Sequence, residues 1–107
     1  MSEKTHFVYK VNPPRPTFAA DQTETEAAIM SEHVKFWTGL MSEGKAVAFG
    51  PVLEPAGVWG LGIIESETEA DVQEISKSDP VVTSGLATVE IYPMPGAIVR
   101  SYQHLAD

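Results

Sequence analysis

The sequence predicts an α+β fold in which helices cover one face of an antiparallel sheet, and three observations lead to this prediction. Four short stretches rich in β-forming residues alternate with two stretches of helical periodicity. Their predicted order is β-α-β-β-α-β followed by a tail, which is the order of a ferredoxin-like sandwich. The length of 107 residues and the hydrophobic share of 43% fit a single domain with a modest core.

The first part of the chain predicts a strand, a long connection and a helix. Residues 6–11 alternate in the manner of a strand, and the prolines that follow force a loop over residues 12–22. From Thr23 to Glu43 apolar residues recur at helical spacing after an acidic first turn. Gly44 is placed to be the left-handed residue that ends this helix.

Residues 46–52 and 58–65 predict a hairpin of two strands. Because both predicted helices would cover the same face of the sheet, the other face needs a different cover. The second hairpin strand is apolar on both sides, with alternating sets Trp59, Leu61, Ile63 and Val58, Ile64. We therefore expect a homodimer packed sheet to sheet.

The second helix and the last strand complete the predicted sandwich. Ser66 as N-cap and Glu69 three residues later form a capping box, which predicts that a helix begins there. Pro80 interrupts or restarts helical structure, a short turn follows, and residues 87–92 alternate as a final strand. The tail, residues 94–107, either adds a strand or reaches a partner subunit.

Charge and composition exclude several function classes. Fifteen acidic and seven basic residues give a net charge of −8, and the basic residues are scattered, which argues against a nucleic-acid partner. Without cysteine there is no disulfide, thiol nucleophile or iron–sulfur cluster. No apolar run approaches the ~18 residues of a membrane helix, and no secretion signal precedes the first strand. We expect a soluble, cytoplasmic protein.

Metal and cofactor motifs are also missing. The three histidines, His6, His33 and His104, have neither the spacing nor the neighbouring carboxylates of a recognised metal site. The sequence has no glycine-rich phosphate motif and no Gly-x-Ser-x-Gly nucleophile elbow. We therefore expect no metal, no cofactor and no serine nucleophile.

Two residues are the candidates for chemistry. His33 falls inside the apolar arc of the first helix, and Asp79 lies in a Ser-Asp-Pro turn. An imidazole held by a carboxylate can take a proton and return it near pH 7. A histidine on an apolar helix face is also a common core residue, and an aspartate before proline is a common turn residue.

Contacts to a small ligand are expected from residues near these two and from the Gly-Pro strand end, where the backbone can approach a ligand closely. The candidates are Ser31, Trp37, Gly50, Pro51, Ser78 and Pro80. A hydroxyl group could stabilise a developing oxyanion. Ser31, Ser78, Tyr9 and Tyr92 are all open for that role.

Four segments in this order and spacing resemble the YCII-related (YciI-like) proteins over about residues 6–93: EHVKFW (32–37), SEGKAVAFGP (42–51), SDPVVTSGL (78–86) and VEIYP (89–93). The resemblance implies a ferredoxin-like protomer that forms a dimeric α/β barrel. It also implies a His-Asp site, which would fall on His33 and Asp79. Relatives of that family resemble muconolactone isomerases and act on lactones and halogenated lactones.

Two positions depart from the family pattern. Ser31 and Glu32 stand where many members carry a basic residue, and Val81 stands where an aromatic residue is usual. Because a basic residue would anchor a carboxylate, these departures disfavour an anionic, muconolactone-like ligand.

Two functions remain open at this point. The first is a small lyase or isomerase without a cofactor, with His33 as general base and Asp79 as its partner. The second is a non-catalytic dimeric module that binds a ligand or assists another protein, in which the two residues only brace the helix. An accessible cavity beside the imidazole would favour the enzyme.

Overall fold

The computed structural model describes residues 4–100 and confirms the predicted α+β sandwich. All three strand pairs are antiparallel, and the sheet order is β2-β3-β1-β4, as in a ferredoxin-like fold. The elements are β1 (Thr5–Asn12), α1 (Phe18–Asp21), α2 (Glu24–Ser42), β2 (Ala46–Val52), β3 (Trp59–Ser66), α3 (Glu69–Ser76), α4 (Pro80–Thr83) and β4 (Thr88–Met94).

The core lies between the sheet and the helices. On β1 the alternation places Phe7, Tyr9 and Val11 on the helix side, where all three are buried. Trp37 on α2 is 1% exposed and lies against Gly62 of β3. A Cβ on Gly62 would come within 2.3 Å of the indole, so the bare glycine lets the ring lie on the sheet.

The start of α2 agrees with the sequence, whereas the predicted start of the second helix was wrong. Thr23 and Glu26 form a reciprocal capping box at α2. The predicted N-cap Ser66 is instead the last residue of β3, because it still pairs with Thr5 of β1. Thr68 caps α3 through its hydroxyl, which accepts a hydrogen bond from the backbone N–H of Asp71.

The long connection after β1 contains the short helix α1 and is tied to α2. Phe18 of α1 is buried, with the guanidinium of Arg15 5.4 Å from its ring centroid. The same guanidinium donates two hydrogen bonds to Glu26 and further ones to the side chain and carbonyl of Asp21. This fork holds the connection against the first turn of α2.

The turn predicted after Pro80 is one turn of helix, α4. Asp79 is its N-cap and Pro80 its first residue, a position where the missing N–H of proline costs no helical hydrogen bond. Gly85, with φ of +75°, then releases the chain toward β4. The result is that Asp79 points inward and is fully buried.

The second face of the sheet carries no helix among residues 4–100. Cross-strand pairing puts Val8, Lys10, Ala48, Val52, Trp59, Leu61, Ile63, Glu90 and Tyr92 on this open face. Residues 95–100 contain a turn and no regular strand, and the rest of the predicted tail lies outside the described residues. None of the described helices has the length and hydrophobicity to cross a membrane.

Candidate active site

His33 and Asp79, which are 46 positions apart in the chain, are in contact. The Nδ1 atom of His33 lies 2.8 Å from Oδ1 of Asp79. Asp79 is 0% exposed, whereas His33 is 8% exposed and lies on the wall of a cavity. The imidazole thus lies between a buried carboxylate and open space.

Three further donors hold the carboxylate of Asp79. The Tyr9 hydroxyl and the Trp37 indole N–H donate to Oδ2 at 2.8 and 3.1 Å, and the backbone N–H of Val81 donates to Oδ1 at 3.1 Å. These donors come from β1, α2 and α4. Because both oxygens are bonded within a packed core, the carboxylate has a single orientation.

The electrostatics of the site keep Asp79 ionised. Burial alone would raise its pKa, but the hydrogen bond and charge of His33, with the donors Trp37 and Tyr9, together lower the pKa below its usual value. Burial, followed by the charge and hydrogen bond of Asp79, raises the pKa of Tyr9. The phenol therefore keeps its proton and remains a donor at neutral pH.

The contact with Asp79 determines which nitrogen of His33 is free. An ionised carboxylate can only accept hydrogen bonds, so Nδ1 of the imidazole carries the proton that lies between them. In the neutral ring Nε2 then holds a lone pair. None of the described hydrogen bonds involves this nitrogen. The arrangement leaves Nε2 free to act as a base.

The cavity beside His33, called here the His33 cavity, has a volume of about 230 Å³. It lies between α2, the connection that contains α1, and the β2–β3 hairpin, and much of its wall is aromatic. Its aromatic side chains are Phe18, Trp37 and Phe49, whereas Trp59 borders the cavity from β3 with its ring on the open face, beside Lys10. Gly60 and Gly62 form part of the sheet side, where the lack of side chains leaves room.

Three of the six predicted ligand contacts line the His33 cavity: Trp37, Gly50 and Pro51. Ser31, Ser78 and Pro80 do not. On a helix, a residue two positions from His33 lies about 200° around the axis, and Ser31 is accordingly exposed. Ser78 and Pro80 flank Asp79 in a turn of which Asp79 is the buried member.

None of the four hydroxyl groups considered for an oxyanion lines the cavity. Tyr9 donates to Asp79 and Tyr92 donates to Glu90, so both phenols are already engaged. The lining residues instead include Gln22, an exposed residue with a neutral amide that the sequence did not single out. A proline-rich connection gives no pattern from which the position of Gln22 could be read.

The other described histidine is remote from this site. His6 lies on the open face of the sheet, where its Nε2 is 3.2 Å from Oε2 of Glu65. Within residues 4–100 no three His, Asp or Glu side chains cluster as metal ligands would. His104 lies outside that range.

Comparisons with known proteins agree with this architecture. A solved structure similar to this chain is that of 5-chloro-2-hydroxyhydroquinone dehydrochlorinase from Burkholderia phenoliruptrix AC1100, in complex with 2,5-dihydroxybenzoquinone. The TM-score is 0.61 and the identity 15%, and the match covers 92% of this chain and 97% of the other. A comparison with curated proteins found no match. The family model of the YCII-related domain matches residues 8–95, so the chain belongs to the YCII-related domain family.

Proposed function

We propose that this protein is a small lyase or isomerase that needs no cofactor and acts on a small lactone or a related carbonyl compound. His33 is the general base, and Asp79 holds it in the tautomer that leaves Nε2 free. One observation carries the proposal: the imidazole contacts a fully buried carboxylate on one side and borders a cavity of about 230 Å³.

The proposed chemistry is a proton transfer. Nε2 takes a proton from a carbon next to a carbonyl group, and the electron pair left on carbon moves into the carbonyl to form an enolate. In an isomerase the imidazolium returns the proton to another carbon of the same molecule. In a lyase the electron pair expels a halide, and the proton passes to solvent. In both cases Asp79 stabilises the imidazolium that forms.

Two further points support this class of reaction. The similar solved structure is named for a loss of hydrogen chloride from a hydroxylated ring and holds a small quinone. The His33 cavity has the apolar wall that small-molecule sites commonly have, and its volume of about 230 Å³ suits a ligand at the small end of their range.

The contacts of Asp79 also favour a second candidate, a non-catalytic module that binds a small ligand. Its four hydrogen bonds join β1, α2 and α4, so the same residues brace the core. In that case the loss of Nε2 would leave the stability of the fold unchanged as long as the contact made by Nδ1 was preserved.

The variant His33→Asn separates the two candidates. The asparagine amide can still donate to Asp79, but it offers no base at the position of Nε2. We expect chloride release from 5-chloro-2-hydroxyhydroquinone, or double-bond migration in small unsaturated lactones, to fall by about 10²–10⁴. The unfolding midpoint should change little.

The matched control is His6→Asn, which removes an imidazole on the other sheet face and should keep full turnover. Equal turnover by His33→Asn and the unchanged protein would remove His33 from the mechanism. Failure of the unchanged protein to turn over any member of the panel would favour the binding module.

We also propose that the protein is a homodimer packed through the open face of its sheet. Four strands present apolar side chains there, among them Val8, Val52, Leu61, Ile63 and Tyr92, and no helix within residues 4–100 covers them. Tyr92 is 49% exposed and Met94 39%. Contiguous apolar surface of this kind usually marks an interface.

A further inference from the structure

The polar groups on the wall of the His33 cavity are few. The indole N–H of Trp37 is already used, since it donates to Asp79, and Trp59, whose ring lies on the open face, donates to Glu54. Among the described lining residues, the only other polar side chains are His33 and Gln22. No described hydrogen bond engages the Gln22 amide or Nε2 of His33. A ligand therefore meets two side-chain polar groups on an otherwise apolar wall.

No lysine or arginine of the described chain lines this wall. Two basic side chains touch wall residues from outside, and both have acidic partners. Arg15, near Phe18, is bound to Glu26 and Asp21, and Lys10, near Trp59, faces Glu90 across the strands.

The surrounding charge is negative. The protein carries a formal net charge of −8, and the ionised Asp79 lies directly behind the imidazole. A carboxylate that entered the cavity would lose its hydration without gaining a cationic partner, which is strongly unfavourable.

The shape of the wall favours a flat ring. Trp37 and Phe49 are 5.6 Å apart between centroids, and Phe18 adds a third aromatic side chain. The volume of about 230 Å³ exceeds the roughly 150 Å³ that is known to hold benzene in a protein, so a ring with one or two substituents fits.

We propose that the His33 cavity takes an uncharged flat ring that carries a hydroxyl or carbonyl group, and that it rejects carboxylates. Gln22 is a specificity-determining residue, because it supplies a neutral polar contact where a basic residue would admit an anion. This assignment rests on the proposed function in that the ring is the substrate and lies beside Nε2 of His33, to which a hydroxyl group can donate, whereas a carbonyl group can accept from the N–H of the Gln22 amide.

The test compares 4-hydroxybenzoate with its methyl ester, which lacks the negative charge and adds one methyl group, whose burial contributes only about 0.8 kcal/mol. Isothermal titration calorimetry with the unchanged protein should show at least about tenfold tighter binding of the ester, which is the discrimination that 1.4 kcal/mol provides. The His33→Asn variant, measured in parallel, should bind the ester more weakly because the phenol loses its acceptor.

A second comparison tests the role of Gln22. Gln22→Arg places a cation at the wall and should reduce the preference for the ester several-fold by tightening the binding of 4-hydroxybenzoate. Gln73→Arg makes the same change on the exposed surface of α3 and should leave the preference unchanged. Equal effects of the two variants would show that net charge, and not the cavity, determines selectivity, and would overturn the role of Gln22.

These outcomes are separate from the test of catalysis. Equal or tighter binding of 4-hydroxybenzoate by the unchanged protein, or binding of neither ligand, overturns the inference even if His33-dependent turnover is found. Selective binding of the ester without any turnover supports the inference about the cavity and contradicts the proposed reaction.

Discussion

At the scale of single residues, the geometry of the site depends on the two oxygens of Asp79. One accepts from His33 and the backbone of Val81, and the other accepts from Tyr9 and Trp37. The carboxylate therefore fixes the tautomer of the imidazole while its own position is fixed by β1 and α2. Changes to Asp79 should affect stability and catalysis together.

The ionisation of Asp79 predicts a particular dependence of stability on pH. Because its pKa is lowered on folding, the stability it contributes is complete above the pKa of an unfolded aspartate, about 3.9. That contribution is lost as the pH falls through the lower pKa of the folded state. Asp79→Asn should therefore lower the free energy of unfolding by about 1–3 kcal/mol at neutral pH. The difference in free energy of unfolding between the variant and the unchanged protein should become smaller in acid.

Urea unfolding at a series of pH values measures this difference. Asp71→Asn, at an exposed aspartate on α3, is the control. Its free energy of unfolding should be close to that of the unchanged protein at every pH. A gap between Asp79→Asn and the unchanged protein that stayed constant into strong acid would show that the stabilisation does not come from the ionised carboxylate.

The hydrogen bond from the Trp37 N–H to the charged carboxylate of Asp79 should contribute to both stability and turnover. Trp37→Phe keeps an aromatic ring on the cavity wall but removes the donor to Oδ2 of Asp79. We expect a loss of about 1.5–3 kcal/mol in stability and a lower kcat with a smaller change in KM. Trp59→Phe loses an N–H that is bonded to the exposed Glu54, so its stability should change much less. Equal losses in the two variants would contradict a positioning role for the Trp37 N–H.

The sequence singled out His33 and Asp79, which the structure brings into contact, but not the residues that hold them. His33 and Asp79 are recognisable by type and by the family resemblance. Tyr9 and Trp37 lie 70 and 42 positions from Asp79 in the chain. Their periodicity only places both on a core face, and only the packing of β1 and α2 directs their donors to one carboxylate.

At the scale of secondary structure elements, the contact between α2 and β3 depends on one glycine. A Cβ on Gly62 would come within 2.3 Å of the rigid indole of Trp37. Gly62→Ala should therefore displace Trp37 and destabilise the protein by about 1–3 kcal/mol, as overpacking commonly does.

Urea unfolding and turnover of Gly62→Ala measure the effect, and Gly50→Ala is the matched control. Gly50 is also a strand glycine beside the cavity, but a Cβ there would meet no atom within 4 Å. If the Gly62 variant were as stable as the Gly50 variant, the indole would not be held against the sheet.

The observed helices and strands agree with those predicted from the sequence where the hydrophobic periodicity is strong. They agree less well at the helix caps. Ser66 and Thr68 are both followed three residues later by an acidic residue, so both satisfy the same capping pattern. The pairing of Ser66 with Thr5 decides between them, and that contact joins distant parts of the chain. The helix α1 was missed because only four residues form it between two loop segments.

At the scale of the whole molecule, the open face of the sheet should decide the oligomeric state. Ile63 lies on that face between Val8 and Ala48 of the neighbouring strands. Ile63→Asp should convert the proposed dimer into a monomer, because a charge on an apolar interface loses its hydration. Light scattering coupled to gel filtration measures the mass.

Ile98→Asp is the control, since Ile98 is 98% exposed and lies outside the sheet. It should leave the mass of the dimer unchanged. An unchanged protein that is monomeric across the accessible concentration range would contradict the proposed assembly.

The order of the elements was sufficient to predict the sheet topology. A β-α-β-β-α-β order leaves few ways to pair four strands, and the observed order β2-β3-β1-β4 is the ferredoxin-like one. The His33 cavity could not be predicted in this way, since its volume depends on how Phe18 and the connection around it pack against α2 and the hairpin.

The proposed chemistry depends on the protonation state of one imidazole, and NMR of the ¹⁵N-labelled His33 ring measures that state directly. At a pH where the ring is neutral, we predict the proton on Nδ1 and a bare Nε2 whose resonance shifts when methyl 4-hydroxybenzoate binds. A ring protonated on Nε2, or an Nε2 resonance that a bound ligand leaves unmoved, would contradict the role of His33 as the base of this site.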